Sequence, residues 1–168
     1  MGLIANYSCL SDANLKELKA MGSEEEEILE SVEEWNDDDE LLLDIDKMWD
    51  VLHFVLTGVG TDHKDDKNPL SQAVLGITTV EELSDYLAYT EHDKLADIVA
   101  ALEQFDMEEA LESFDMAACK KAELYPDIWD YDEEEEEIKD ELLHDFEQMK
   151  RFYKQVLDAN GNVLVSIC

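Results

Sequence analysis

Residues 44–58, DIDKMWDVLHFVLTG, form the one long, mostly apolar, aromatic-bearing stretch with helical spacing in a very acidic chain. At about 100° per residue, Ile45, Trp49, Leu52 and Leu56 fall within one narrow arc, and Met48, Val51 and Val55 widen it. A rod with so wide an apolar face has to be an interior helix, so the rest of the chain must pack around it. Its remaining arc is polar: His53, Asp46, Thr57 and Asp50 lie roughly 80°, 100°, 120° and 140° from Ile45 on the same wheel. Asp46 and Asp50 flanking His53 at helical spacing would raise its basicity and make the trio a candidate acid–base or ligand-binding site. The competing reading is architectural, a polar seam whose groups hydrogen-bond to neighbouring backbone, because a bare buried polar group costs about 1–3 kcal/mol.

Elsewhere the elements follow from local signals. Residues 3–9 read as a strand with apolar residues on both faces, expected beside a second apolar, β-branched strand at 163–168. Ser11 caps a helix from Asp12 to about Met21, and Ser23 with Glu26 forms a capping box that opens a second helix. The run WNDDDE at 35–40 reads as an acidic loop without the spaced ligands of a calcium loop. Asn68-Pro69 starts a short helix that ends at Gly76. Residues 79–83 suggest another helical turn and 84–89 a short strand. Thr90 with Asp93, and Asp106 with Glu109, read as caps of two further helices. Ile128, Trp129 and Tyr131 suggest an aromatic patch ahead of the glutamates at 133–137. Ile138, Leu142, Phe146, Met149, Tyr153 and Val156 step by four and three, marking one face of a long helix that Asn160-Gly161 terminates.

The expected class is therefore α+β, a single domain over 1–168, mostly helical, with a small sheet that includes both terminal strands and packs on the central helix. At 168 residues, such a chain buries roughly 68–70% of its unfolded surface without staples. Cys9, Cys119 and Cys168 have neither CxxC spacing nor a His partner at ligand spacing, which points to no metal and to a reducing compartment. The first residues lack a basic n-region and a spanning apolar run, so a cytoplasmic location is expected.

Forty-five acidic against 12 basic residues give a net charge of −33, a field that repels phosphate backbones and anionic membranes. Nucleic acid and membrane are thereby disfavoured as partners, whereas a basic protein would be attracted. The same charge also serves solubility. Arg151 is the single arginine, which argues against a bidentate phosphate clamp and phosphoryl transfer.

Several of these stretches together resemble a known family. The run Asp44-Ile45-Asp46-Lys47, with Trp49-Asp50, Leu52-His53-Phe54 and Leu56-Thr57-Gly58, is similar to the signature of the YfbM-like family of bacterial proteins. Asn68-Pro69-Leu70, Ala73-Val74-Leu75-Gly76, Tyr86-Leu87, Leu124-Tyr125-Pro126 and Phe152-Tyr153 resemble its later landmarks in the same order. The resemblance spans nearly the whole chain and implies one α+β domain from bacterial cytoplasm. It implies no assigned activity, cofactor or catalytic residue. The chain departs from the family most in acidic insertions around Glu24 and Asp37 and before Ile138.

Two functions fit these residues. One is a non-catalytic acidic module, of inhibitor or toxin-immunity type, that meets a basic partner through 24–34, 37–40 and 133–137. The other is an enzyme or small-ligand binder with His53 as acid or base and Asp46 and Asp50 orienting it. Trp49, Tyr125, Trp129 and Tyr153 are the candidate aromatic contacts for a ligand or partner. No cofactor is called for, and catalysis is the less favoured of the two.

Overall fold

The computed structural model describes residues 2–21, 24–38, 41–80, 83 and 85–168. Among these, the strands are β1 (Ala5–Leu10), β2 (Leu42–Asp44), β3 (Thr78–Thr79), β4 (Tyr86–Thr90) and β5 (Asn162–Ile167). They form one antiparallel sheet in the order β2-β1-β5-β4-β3. The first and last strands lie side by side, with Ala5 opposite Ile167 and Leu10 opposite Asn162. Strands β1 and β5 carry apolar residues on both faces, which requires cover on each side.

That cover comes from two groups of helices. On one face, α1 (Asp12–Ala20) and α2 (Glu25–Asp38) bring Leu15, Leu18, Ile28 and Val32 onto Leu10, Leu87 and Leu164. The opposite face, with Ala5, Tyr7, Val163, Val165 and Ile167, carries the larger core. It is covered by α3 (Trp49–Thr57), α4 (Pro69–Leu75), α5 (Leu95–Gln104), α6 (Met107–Glu112), α7 (Met116–Lys121) and α8 (Glu135–Asp158). The face of α8 predicted from its spacing is buried residue for residue: Ile138, Leu142, Phe146, Met149, Tyr153 and Val156. Asn160 adopts the left-handed conformation after α8, at φ 57°.

The central rod is helical and interior, with Trp49 8% and Leu52 0% exposed, but it is shorter than its wheel suggests. Residues 42–44 are strand β2, and the chain turns sharply before α3 begins at Trp49. The Asp44 carboxylate accepts the Asp46 N–H at 2.7 Å, and Asp46 sits at φ 49°, a conformation aspartate tolerates in such turns. Ala5 then exchanges backbone hydrogen bonds with Ile45 and Asp46, at 3.2 and 3.0 Å. Ile45 is buried as expected, yet from the sheet edge and not from the helix.

Other expectations need correction. Residues 35–38 belong to the last turn of α2 and are not a loop, because nothing in that acidic run breaks a helix; 39–40 lie outside the described residues. Residues 78–79 pair with β4 as strand β3, whereas 81 and 82 lie outside the described residues, as does Ser23. Thr90 ends β4 and does not cap a helix: a 3-10 turn, His92–Lys94, precedes α5, and the His92 N–H is taken by Asn162 Oδ1 at 2.9 Å. Trp129 is 3% exposed and donates Nε1–H to the Leu124 carbonyl at 2.9 Å, so of the expected aromatic patch only Tyr131 is open to solvent.

Candidate functional site

The polar edge of α3 is occupied by the protein's own backbone. Asp50, 8% exposed, accepts three hydrogen bonds. Its Oδ1 takes the Thr61 N–H at 2.9 Å and the Thr61 hydroxyl at 3.0 Å, and its Oδ2 takes the Tyr125 N–H at 2.8 Å. One carboxylate thus fastens two loops that lie 11 and 75 residues away.

His53 is 0% exposed. Its Nδ1 stands 2.8 Å from the Val59 carbonyl, which can only accept, so Nδ1 carries the proton and donates. Nε2 then accepts from the Ser71 hydroxyl at 2.7 Å, while Ser71 Oγ itself accepts the Asp65 N–H at 3.1 Å. Burial pushes the His53 pKa down, against smaller opposing effects from the Val59 carbonyl and Asp50. This is the reverse of the raised basicity expected from flanking aspartates. Both ring nitrogens are engaged, and burial favours the neutral imidazole. Asp46, on its exposed left-handed turn, stands outside this network. The expected trio is therefore not assembled, because α3 begins only at Trp49.

Trp49 and Tyr125 are brought together. Their rings stack at 5.3 Å between centroids and 21° between planes. Trp49 Nε1–H donates to the Leu3 carbonyl at 2.9 Å, and the Leu3 N–H donates to the Tyr125 hydroxyl at 2.7 Å. A side chain at Gly2 would collide with that hydroxyl and with Lys47. Tyr153 lies elsewhere, 0% exposed with its hydroxyl on the Ala73 carbonyl at 2.6 Å. Tyr153 and Trp129 are core residues and do not form an open aromatic wall.

A cavity of about 410 Å³ opens beside this cluster, walled by Leu3, Trp49, Leu75, Tyr86 and Ile167, with Thr61, Asp62, Lys64 and Asp85 supplying its polar lining. Lys64 lies 3.5 Å from the Asp66 carboxylate, which offsets its charge. Its size is within the range of small-ligand sites. Of this cavity only Trp49 was a candidate in the sequence.

Among the described residues, the acidic segments lie largely on the surface. Helix α2 exposes Glu26, Glu27, Glu30, Glu33, Glu34 and Asp37, and no lysine or arginine occurs in its sequence. The glutamates at 133–137 sit in a 3-10 turn and the first turn of α8, where the positive end of the helix favours them. Among the described residues, no group of His, Cys, Asp and Glu could hold a metal ion, and no helix is long and apolar enough to cross a membrane.

One ionisable group escaped sequence reasoning. Asp145 is 7% exposed, and its Oδ2 is buried with no hydrogen-bond partner. Burial first, then the charges of Glu141, Asp44 and Asp46, push its pKa up to about 7. Its position was a usable signal, since it stands seven residues after Ile138 and four before Met149, within the apolar stripe of α8.

Residues 1–166 match a family model described as "Domain of unknown function (DUF1877)". The chain belongs to this YfbM-like family. It is similar to "Protein YfbM" of Escherichia coli (strain K12), with 32% identity over 126 residues, 74% of this chain and 75% of that protein. It also matches a solved structure, "The Crystal Structure of a Protein of Unknown Function YfbM from Escherichia coli", at a TM-score of 0.81 and 27% identity, covering 98% of this chain and 99% of that one. The α+β architecture and the YfbM-like family expected from the sequence are thus those of the chain.

Proposed function

We propose that the chain is a non-catalytic acidic module that binds a basic protein partner, in the manner of inhibitor or toxin-immunity proteins. The observation that carries this reading is α2, which buries Ile28 and Val32 against the sheet and turns outward a row of carboxylates with no basic residue in the helix. Such a row, in a chain of net charge −33, speeds encounter with a cationic surface and repels anionic ones. Rim charges of this kind act through a field screened over about 8 Å at physiological salt, so binding has to weaken as salt rises.

The test is affinity capture from a bacterial lysate with two baits, the native chain and E26Q/E27Q/E30Q/E34Q. A basic protein retained by the native chain, eluted by salt and lost by the variant is the expected result. Retention of no basic protein at low salt, or retention indifferent to salt, overturns the reading.

The cavity beside Trp49 favours a second reading, a small-ligand binder. In it, Asp50 and His53 hold the loops around the cavity and do no chemistry. A ligand found by thermal-shift screening should lose binding to L3W, which fills the mouth at a residue 47% exposed; a hit untouched by that change lies elsewhere and refutes the assignment.

A further inference from the structure

A second cavity, of about 330 Å³, lies on the opposite face of the sheet, between α2 and β1, β5 and β4. Its origin is visible in the strand register. Asn6 pairs with Ser166, and Ser166 with Leu87, so one row across three strands presents two short polar side chains toward α2. The next row carries Leu164, which meets α2 in the apolar cluster with Ile28 and Val32. Under the last turns of α2 the sheet is too low to fill the space, and Leu29 and Val32 overhang a gap.

The polar lining of this gap is unbalanced. Glu33 and Asp37, both exposed on α2, and Asp85, on the approach to β4, stand at its edge. Asn36, between them, has its Oδ1 buried with no hydrogen-bond donor. Among the described residues, no lysine, arginine or histidine lines the cavity. An anion would be repelled by three carboxylates, and a neutral apolar molecule would leave Asn36 Oδ1 without a donor. The complementary occupant has an aliphatic stem for Leu29, Val32 and Leu87, and a cationic head rich in donors for the acceptors around it.

We infer that this cavity is the anchor pocket for one lysine or arginine side chain of the basic partner. The inference rests on the acidic-module reading and localises it: the field of α2 attracts the partner, and the pocket seats a single residue. Buried pockets that take one anchor side chain are where binding energy concentrates in protein interfaces, whereas exposed rim charges contribute mainly to encounter.

The probe is a fluorescein-labelled nonapeptide of alternating lysine and alanine, titrated at low ionic strength, with the same peptide N-acetylated on every lysine as control. Ser166→Leu plugs the floor and Asn36→Leu removes the acceptor, neither changing the charge. The comparison variant E135Q/E136Q/E137Q removes three charges remote from the pocket. Expected are at least tenfold weaker binding to S166L and to N36L, less than threefold for the remote variant, and no binding of the acetylated peptide. Cys168, at the pocket, gives a readout on the native chain that does not depend on any variant folding: saturating peptide should slow its alkylation, followed by mass spectrometry.

If S166L and N36L bind as the native chain does while salt and the charge variants weaken binding, the pocket is refuted and the acidic-module reading stands. If the lysine peptide fails to bind at low salt, both fall. Equal binding of the acetylated peptide, unchanged Cys168 alkylation, or spermidine binding tighter than the peptide each overturn the assignment to a protein side chain.

Discussion

Replacing Asp145 by Asn should stabilise the protein near neutral pH and do almost nothing in acid. Asp145 lies on the buried stripe of α8 with Oδ2 unpartnered, and burial together with Glu141, Asp44 and Asp46 raises its pKa from an ordinary 3.8 to about 7. The folded chain therefore holds this proton more tightly than the unfolded chain does. Below about pH 4 both states are protonated and the carboxyl carries no penalty. As pH rises from about 4 to about 7 the unfolded state ionises first, so folding loses stability over that window and stays penalised above it. The full difference corresponds to roughly 4 kcal/mol, at about 1.4 kcal/mol per tenfold in proton affinity. Water reaching an ionised Asp145 would relieve part of this, so ~1–3 kcal/mol is the gain expected for D145N at pH 8. Asparagine is uncharged in both states and closely matches the protonated acid in shape. Urea unfolding of both proteins from pH 4 to pH 8 measures the difference, in which the contributions of Glu141, Asp44 and Asp46 largely cancel. A difference that stays flat across that range, or a variant less stable at pH 8, would refute the reasoning.

Three other outcomes follow from the same geometry. Asp50→Asn turns an acceptor of three hydrogen bonds into a group whose amide faces donors, and should cost about 1–3 kcal/mol; hydrogen exchange should show the loss as faster opening at Thr61 and Tyr125. Gly58 ends α3 at φ 85° with nothing near an added Cβ, so Gly58→Ala should cost only the left-handed strain, about 1 kcal/mol, in chemical unfolding. Cys119 is fully buried with its thiol pushed up to about 12, so a thiol reagent at pH 8 should modify it only at the rate of unfolding, well behind exposed Cys168.

What could be read in advance was whatever depends on neighbours along the chain. The stripe of α8, the bounds of α4 at Pro69 and Leu75, and the Ser11 cap, whose Oγ accepts the Asn14 N–H at 3.1 Å, are local devices and appear where expected. The start of α3 is different. Ile45 falls on the helical wheel of Trp49 and Leu52 by spacing alone, whereas its conformation is decided by pairing with Ala5, 40 positions earlier, and by the Asp44 carboxylate. The candidate site was legible to the same degree. Trp49 and Asp50 were visible as unusual residues on an apolar rod, but their partners at Leu3, Thr61 and Tyr125 are set by tertiary packing. The α2 pocket exists only because Asn6 and Ser166 fall opposite each other, which no window along the chain reveals.

Several residues that carry the family resemblance hold the protein's own loops in place. Trp49 holds Leu3, Asp50 holds Thr61 and the Tyr125 backbone, and His53 holds Val59 and Ser71. Each of these polar groups bonds to the protein's own loops. Substituting them should lower stability and only indirectly lower binding, so loss of function in such variants would not locate a site. The surface that carries the proposed recognition is α2, where, among the described residues, carboxylates and one buried carbonyl oxygen have no basic group beside them in the pocket. A variant of Ser166 or Asn36 that folds like the native chain and yet binds differently would separate recognition from architecture, whereas a substitution at Asp50 or His53 disturbs the loops that each of them holds.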